Sequence, residues 1–306
     1  MHVTELTEHI YLIDVETGGL KNFIASYILK GKQVAIVETG PTSSVPNLLS
    51  ALEQLDVKFE DVVYVAISHI HLDHGGGGGT LIKNLPNAKV VVHQRGAPHL
   101  VNPEKLWRQS KEVLRSITEL YGEPEPVPAE RIIAATHGMI LDVGNGVKLK
   151  VVETLGHASH HQSYYETLGG GIFPGDAAGI YMKEFDAVVP TTPAPFRLDS
   201  TLASLDKLVS LKPKALYYSH FGEASNPVER LQAYAEQLKL WARIAMEGVE
   251  RKQGLDAMRE RILENDENIR RTAKALRAHP VLGEIVLVNS VQGVIEYAEK
   301  HASLVE

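Results

Sequence analysis

The stretch SHIHLDHGGGGGT, residues 68–80, places three histidines and one aspartate within six positions and follows them with five consecutive glycines. Imidazole and carboxylate groups are common ligands of transition metals. Glycine adopts backbone dihedrals that are closed to other residues and lets the backbone come close to a site. The stretch therefore indicates either a polar, flexible surface loop or a metal site around which the chain turns tightly.

The residues just before these histidines predict a buried β-strand. DVVYVAIS (61–68) is almost continuously apolar, as expected for a strand that is covered on both faces. His69 then lies at the carboxyl end of the strand, and His71 follows two residues later, so both rings point the same way if the backbone stays extended. Asp73 and His74 face elsewhere as the chain turns through the glycines.

Three later β-rich runs also lead to a histidine or an aspartate that has a glycine one or two residues away. They are VKLKVVET (147–154) before His157, GGIFPGD (170–176) with Asp176, and KALYYSH (214–220) with His220. Ligand sites collect at the carboxyl ends of strands, because loops converge there while the sheet holds them rigid. We therefore expect four strand ends to converge on one site.

The rest of the chain predicts a mixed region followed by a helical one. Further strands are predicted at 9–15, 22–29, 33–38, 88–93 and 161–166, and helices at 44–55, 104–121 and 199–210. After about residue 225 the pattern is almost entirely helical; Pro227 suits an early helix position, and Pro280 with Gly283 marks a break before the last helix. We expect a catalytic domain at 1–224 and a helical extension at 225–306.

The composition excludes several kinds of site. The 306 residues include no cysteine, which rules out disulfides, thiolate metal sites and cysteine nucleophiles. The net charge of −7 argues against nucleic acid as a partner, because its phosphates require clustered Lys and Arg. No window approaches the about 20 apolar residues of a membrane span, and the first residues lack the features of a secretory signal. A cytoplasmic protein without a membrane partner is therefore expected.

The spacing His-x-His-x-Asp-His resembles the motif of the metallo-β-lactamase superfamily, and the later residues match its remaining ligand positions in order over about residues 1–225. The resemblance implies an α/β (α+β) fold, an αββα four-layer sandwich of two mixed sheets with helices outside. The helices after residue 225 follow the last ligand, and from this position we expect a C-terminal helical extension that covers the active site. The resemblance also implies one metal held by His69, His71 and His157, a second held by Asp73, His74 and His220, and Asp176 as the bridge.

The chemistry of this ligand set favours two divalent ions and a hydrolytic reaction. Five neutral imidazoles and two carboxylates carry two negative charges, so two divalent ions with a shared hydroxide leave one positive charge. Metal binding lowers the pKa of water to about 7, and the ions polarise a carbonyl or phosphoryl oxygen. Asp73 is the predicted catalytic residue, which orients the hydroxide or shuttles its proton. Zinc is the first candidate, followed by iron; manganese is also accepted by such ligands.

The remaining histidines are weaker candidates. Isolated histidines are mostly surface or satisfied core residues, and this interpretation applies to His2, His9, His93, His137, His279 and His301. His160 and His161 either support the ligands or lie on the surface, and His99 either lines the pocket or caps a helix. A phosphate-binding loop is excluded because Lys-Ser/Thr does not follow the glycines.

The expected substrate is a small ester, thioester or lactone, attacked by a hydroxide that bridges the two ions. A phosphodiesterase, or a binding or regulatory protein with a vestigial site, is the alternative. The β-lactamases with a cysteine ligand are disfavoured. Similar lactonases carry a tyrosine three residues past the bridging aspartate, where this chain has Gly179, with Tyr181 nearby. Glyoxalase II also ends in a helical domain, but SHFGEASNPVERL (219–231) does not resemble its glutathione-binding segment. The apolar stripe of Leu231, Tyr234, Leu238 and Trp241 either covers the pocket or pairs two subunits as a homodimer.

Overall fold

The computed structural model describes residues 2–302, which group into two compact units. The first unit contains the chain up to Glu153 together with His160–Gly175 and Lys214–Ser225. The second contains Thr154–Ser159, Asp176–Pro213 and the chain from Asn226 onward. Two segments that precede residue 225 thus belong with the C-terminal helices, while the functional division into 1–224 and 225–306 stays a prediction.

The strands of the described residues form two large sheets and one hairpin. Their bounds are β1 His2–Thr7, β2 Ile10–Asp14, β3 Ala25–Lys30, β4 Val34–Val37, β5 Val62–Ala66, β6 Lys89–His93, β7 Ile132–Ala135, β8 Ile140–Asp142, β9 Lys148–Glu153, β10 Gln162–Glu166, β11 Gly171–Phe173, β12 Ile180–Met182, β13 Ala187–Val189, β14 Ala215–Tyr218 and β15 Gly222–Ala224. The first sheet has the order β1-β2-β3-β4-β5-β6-β7, antiparallel as far as β4 and parallel from β4 to β7. The second has the order β15-β14-β11-β10-β9-β8, in which only β11 and β14 pair in parallel. Both large sheets belong to the first unit, and β12 pairs with β13 in the second.

The two large sheets pack face to face through one apolar core. Tyr27 of β3 illustrates the contact, since its ring centroid lies 5.0 Å from that of Phe173 in β11 and 5.8 Å from that of Tyr217 in β14. The Tyr27 hydroxyl donates a hydrogen bond of 2.6 Å to the carbonyl of Tyr218. Burial raises the pKa of Tyr27 well above its usual value, so the phenol stays protonated as a donor. The sandwich thus holds the ends of β5 and β14 in fixed places.

Helices occupy much of both units. They are α1 Val45–Gln54, α2 Leu72–Gly75, α3 Gly78–Ile82, α4 Ala97–Val101, α5 Glu104–Leu114, α6 Ile117–Tyr121, α7 Leu198–Ser210, α8 Pro227–Glu250, α9 Leu255–Asn265, α10 Glu267–Ala278, α11 Leu282–Glu284 and α12 Val291–Ala302, with a π-helix at Ile285–Ser290. Short 3₁₀ turns lie at Thr17–Gly19, Thr42–Ser44, Phe59–Asp61, Ala129–Arg131, Gly175–Ala178 and Lys183–Phe185. The predicted helix at 104–121 is interrupted at Arg115, whose φ is 50°. Within residues 2–302 we find no helix that has both the length and the hydrophobicity to cross a bilayer.

The apolar stripe predicted on the first C-terminal helix is buried inside the chain. Leu231, Tyr234, Leu238 and Trp241 all lie on α8 and are almost inaccessible to solvent. Within the second unit, α8 packs against α7, α9 and α12. This stripe therefore cannot pair two subunits, and the homodimer, which stays a prediction, would need another surface.

The five consecutive glycines lie in and between two short helices rather than in a turn with unusual dihedrals. Gly75 ends α2 and Gly78 begins α3, and none of the five has a positive φ. The expectation of dihedrals closed to other residues is therefore wrong. Close packing requires glycine instead, because a Cβ at Gly79 would lie 2.0 Å from the Glu125 carbonyl oxygen and one at Gly77 3.0 Å from that of Gly40. These close contacts are with the backbone of Glu125 and Gly40, and the close approach of the glycine backbone to the metal site stays a prediction.

Two neighbouring glycines provide a matched test of this packing. Gly79→Ala should lower the free energy of unfolding by about 1–3 kcal/mol, because its Cβ would overlap a backbone oxygen. In Gly78→Ala the nearest atom to the new Cβ is the Val127 Cγ2 atom at 3.8 Å, so the higher helix propensity of alanine should leave stability unchanged or raise it by up to about 1 kcal/mol. Chemical denaturation of both variants measures the difference. Equal destabilisation by the two substitutions would contradict the packing explanation.

Candidate metal centre

The first unit carries five of the seven predicted ligands at the carboxyl ends of two strands. The chain leaves β5 at Ala66 and presents His69, His71, Asp73 and His74, while His220 follows β14. His71 is half-buried, and the other four side chains are buried. Because the sheet fixes both strand ends, these side chains are positioned by the fold and not by a mobile loop.

Asp73, His74 and His220 form a group of converging donor atoms. One donor atom from each residue lies within 4.8 Å of the others. The Asp73 Oδ2 atom is 3.4 Å from the His220 Nε2 atom and 3.9 Å from the His74 Nε2 atom. Two imidazoles and a carboxylate are a donor set that divalent transition metals accept. The residues present therefore fit a divalent ion.

Hydrogen bonds on the far side of both imidazoles orient this group. The His220 Nδ1 atom is 2.8 Å from the carbonyl oxygen of Phe23, and the His74 Nδ1 atom is 3.2 Å from the Glu38 Oε1 atom. Carbonyl and carboxylate oxygens only accept hydrogen bonds, so Nδ1 of each ring carries the proton and Nε2 carries the lone pair. In both rings the Nε2 lone pair, which a metal requires, therefore faces Asp73.

Glu38 is a site residue that was not predicted from the sequence. It follows β4, is only 1% exposed and has a left-handed backbone conformation with φ of 65°. Its carboxylate accepts hydrogen bonds from the Ser68 backbone N–H at 3.2 Å and from the Ser219 hydroxyl at 3.1 Å, in addition to the His74 ring. One buried carboxylate therefore connects the ends of β4, β5 and β14. The signal in AIVETG (35–40) was a charged residue at the end of an otherwise apolar strand.

His160 and His161, whose roles were open, lie among the imidazoles of the first unit. The His161 ring is fully buried, with its centroid 4.9 Å from that of His69. The His160 ring is 5.9 Å from the His71 ring in an edge-to-face arrangement. His69 is itself held by a 2.9 Å contact between its Nδ1 atom and the Ser68 hydroxyl, and its Nε2 atom is 2.9 Å from the His71 Nδ1 atom. Both open residues therefore contact predicted ligands.

The second unit brings together the other two predicted ligands. The His157 Nε2 atom is 3.6 Å from the Asp176 Oδ2 atom. Thr191 supports both residues, because its carbonyl oxygen is 3.0 Å from the His157 Nδ1 atom and its hydroxyl donates to Asp176 Oδ2 at 3.4 Å. As in the first unit, a carbonyl acceptor places the proton on Nδ1 and the lone pair on Nε2. The two side chains thus form an oriented His/Asp pair.

Comparison with known families identifies the superfamily of this chain. The sequence profile of the Metallo-beta-lactamase superfamily matches residues 21–220, which is more than half of the chain. The chain belongs to this superfamily. The matched region contains all seven predicted ligands, from His69 to His220.

Individual relatives of this superfamily member support the same assignment. A metallo-beta-lactamase fold-containing protein of Sulfurisphaera tokodaii is 26% identical over 257 residues, covering 82% of this chain and 92% of the relative. The hydroxyacylglutathione hydrolase of Aeromonas hydrophila is 26% identical over 235 residues, 74% of this chain and 72% of the relative. The crystal structure of an archaeal metallo-beta-lactamase superfamily protein from Sulfolobus tokodaii superposes with a TM-score of 0.69 and 23% identity, over 95% of this chain and 99% of that one. The predicted fold, an αββα sandwich with a C-terminal helical extension, is confirmed.

The structure also shows the surroundings of Tyr181 and His99, whose roles the sequence leaves open. The Tyr181 hydroxyl donates a 2.8 Å hydrogen bond to the Asp186 Oδ1 atom, and burial together with this carboxylate raises the pKa of Tyr181 to about 12. The phenol is therefore neutral near pH 7 and hydrogen-bonded to Asp186 within the second unit. His99 is half-buried within α4 and is not a residue that caps a helix end.

Proposed function

We propose that this protein is a metal-dependent hydrolase of a small ester, thioester or lactone. Membership of the superfamily supports hydrolysis in general. The observation that carries the assignment is the Asp73, His74 and His220 group, in which the imidazole tautomers are already fixed by Glu38 and Phe23. Preorganised donor atoms are typical of a metal centre, because binding then requires no rearrangement of the ligands.

The proposed centre holds two divalent ions, with zinc as the first candidate and iron or manganese as the others. The seven proposed ligands are His69, His71, Asp73, His74, His157, Asp176 and His220. Support comes from each unit separately, since one contains the converging Asp73 group and the other the His157–Asp176 pair. Divalent ions in such a centre lower the pKa of water and polarise the carbonyl group of the substrate.

Asp73 has the proposed catalytic role. Its side chain is largely buried, with the Oδ2 atom close to the His220 ring, where a carboxylate can accept a proton from the attacking water. Attack on the carbonyl carbon then breaks the bond to the leaving oxygen or sulfur, and the proton passes from Asp73 to that leaving group. A divalent ion bound by Asp73, His74 and His220 would hold the Asp73 carboxylate in place, because the Nε2 atoms of both rings carry lone pairs and donate no hydrogen bond to it.

The thioester is the member of the substrate class with additional support. One relative bears the name hydroxyacylglutathione hydrolase, and an acylglutathione is a thioester. At 26% identity, this similarity supports cleavage of a thioester bond more than it supports glutathione as the group attached to that bond. We therefore place a small thioester first and an oxygen ester or lactone second.

A panel of substrates tests the proposed function. The purified chain is analysed for bound metal and assayed with a small thioester, an oxygen ester, a lactone and a phosphodiester. We expect two divalent ions per chain and turnover of at least one carbonyl substrate that is lost after chelation and restored by added metal. Turnover of the phosphodiester alone would replace the proposal with a phosphodiesterase, and metal binding without any turnover would favour a binding or regulatory protein.

A further inference from the structure

The segment between β13 and α7 is attached to the C-terminal helices by two hydrogen bonds. The Thr192 backbone N–H donates to the Ser290 hydroxyl oxygen at 3.1 Å, and the Thr192 hydroxyl donates to the Ser290 carbonyl oxygen at 2.8 Å. Both residues are fully buried. Because these two buried hydrogen bonds involve a backbone atom of each residue, they fix the position of a backbone segment and not only that of a side chain.

Ser290 is oriented for these contacts by an unusual helical turn. It is the last residue of the π-helix Ile285–Ser290, and its hydroxyl donates to the Ile285 carbonyl oxygen at 2.8 Å. Because the hydroxyl proton points to Ile285, the oxygen lone pairs are available to the Thr192 N–H. Single π-helical turns occur frequently at functional sites.

Gly293 provides a second, independent contact with the same segment. A Cβ built at this position would lie 1.9 Å from the Thr192 carbonyl oxygen and 2.9 Å from the Ala194 backbone nitrogen. The φ of Gly293 is not positive, so its backbone conformation does not require glycine. The required feature is the close approach of two backbones, which any side chain at this position would force apart.

The neighbouring residue of the same segment contacts both proposed ligands of the second unit. Thr191 accepts the hydrogen bond from the His157 ring and donates one to the Asp176 carboxylate. Because Thr191 and Thr192 share a peptide bond, a displacement of Thr192 moves the carbonyl oxygen that orients the His157 ring. A continuous chain of contacts thus runs from α12 to two ligands, entirely within the second unit.

We propose that Ser290 and Gly293 are positioning residues of the metal centre that hold His157 and Asp176 in their ligating geometry through Thr191 and Thr192, an inference that rests on the proposed function. Outer hydrogen-bond partners of ligands typically contribute 10–100-fold to metal affinity. The helices after residue 225 therefore determine how tightly metal binds, a role that differs from the predicted one of covering the active site.

Matched pairs of variants test these positioning residues. Gly293→Ala and Ser290→Ala are compared with two control variants. In Gly248→Ala the new Cβ would overlap the Met258 side chain and touch the Gln253 side chain at 3.5 Å, and Ser210→Ala removes a hydroxyl that donates to the Lys207 carbonyl at the exposed end of α7. Zinc affinity is measured by competition with a chelator, and the fold of the metal-free protein by circular dichroism and thermal unfolding. We expect about 10–100-fold weaker zinc binding for the first pair and unchanged binding for the second, even where Gly248→Ala lowers the melting temperature.

Three outcomes would overturn the inference or its basis. Unchanged zinc affinity in well-folded Gly293→Ala and Ser290→Ala would overturn the positioning role, and so would an equal loss of affinity in Gly248→Ala, because general destabilisation would then explain the effect. If Gly293→Ala does not fold, Ser290→Ala and Thr192→Val, which removes only the bond to the Ser290 carbonyl, decide the question. Absence of zinc, iron and manganese binding in the unsubstituted protein would instead overturn the proposed function itself.

Discussion

Asp73→Asn should lower turnover of the best substrate by about 10²–10⁴-fold, the range that a positioned general base contributes. The substitution keeps the shape of the side chain but removes its negative charge and its ability to accept a proton. It also weakens the Asp73, His74 and His220 group as a metal site, because a neutral amide oxygen is a poorer ligand than a carboxylate. Steady-state kinetics with elemental analysis of the same sample measures both losses.

A second substitution separates this effect from a general change in charge. Asp142→Asn removes an exposed carboxylate of the same unit, which accepts a hydrogen bond from the Gly144 N–H and pairs with Lys148. This control should retain its metal and full turnover. Retained turnover in Asp73→Asn would contradict the proposed catalytic role, and retained turnover and metal in Asp176→Ala would contradict the seven-ligand centre.

Glu38→Gln should weaken metal binding by about 10–100-fold with the fold intact. The carboxylate accepts hydrogen bonds from the Ser68 N–H, the Ser219 hydroxyl and the His74 ring. A glutamine has only one acceptor oxygen, so its NH₂ group would face at least one of these donors. With the amide oxygen at the Oε1 position, the Ser68 N–H faces the NH₂ group, and the His74 Nδ1–H bonds to a neutral oxygen that holds the ring less firmly than a carboxylate does. The weaker hold on His74 should appear as a higher concentration of zinc needed for half-saturation in a chelator competition.

The buried Glu166 provides the control for this prediction. Its carboxylate is also fully buried in the first unit and accepts the backbone N–H groups of Leu168 and Gly169 at 2.6 and 2.7 Å. Glu166→Gln should therefore lower the free energy of unfolding by about 1–3 kcal/mol, as expected for a buried donor that loses its acceptor, without a change in zinc affinity. If both glutamine variants bound zinc equally well, Glu38 would have only a structural role.

Interior strands could be predicted from the sequence, whereas edge strands could not. All nine predicted strands exist, and each of them lies inside a sheet with a neighbour on both sides. The four strands at the edges of the two large sheets, β1, β7, β8 and β15, are not predicted, and neither are β12 and β13 of the separate hairpin. An interior strand is covered on both faces and shows a continuous apolar run, but an edge strand is short or partly solvated and lacks this signal.

The candidate ligands could be predicted from the sequence, whereas the residues that orient them could not. A fixed spacing of residue types that rarely cluster marks His69, His71, Asp73 and His74, so this pattern can be recognised in the sequence. Glu38 and Thr191 act through contacts with residues far away in sequence, and a threonine carbonyl has no sequence signature at all. The glycine run was recognised, but whether glycine is needed for dihedral freedom or for space depends on the Glu125 backbone, which only the structure locates.

The division of the chain into interleaved units has a consequence for protein engineering. Because Thr154–Ser159 and Asp176–Pro213 group with the residues after Asn226, the helical region is not an appendage that can be cut away or transplanted by a single junction. A deletion at residue 225 would strip the remaining fragment of the scaffold under His157 and Asp176. Chimeras that exchange this region with a relative would have to swap both internal stretches along with the tail.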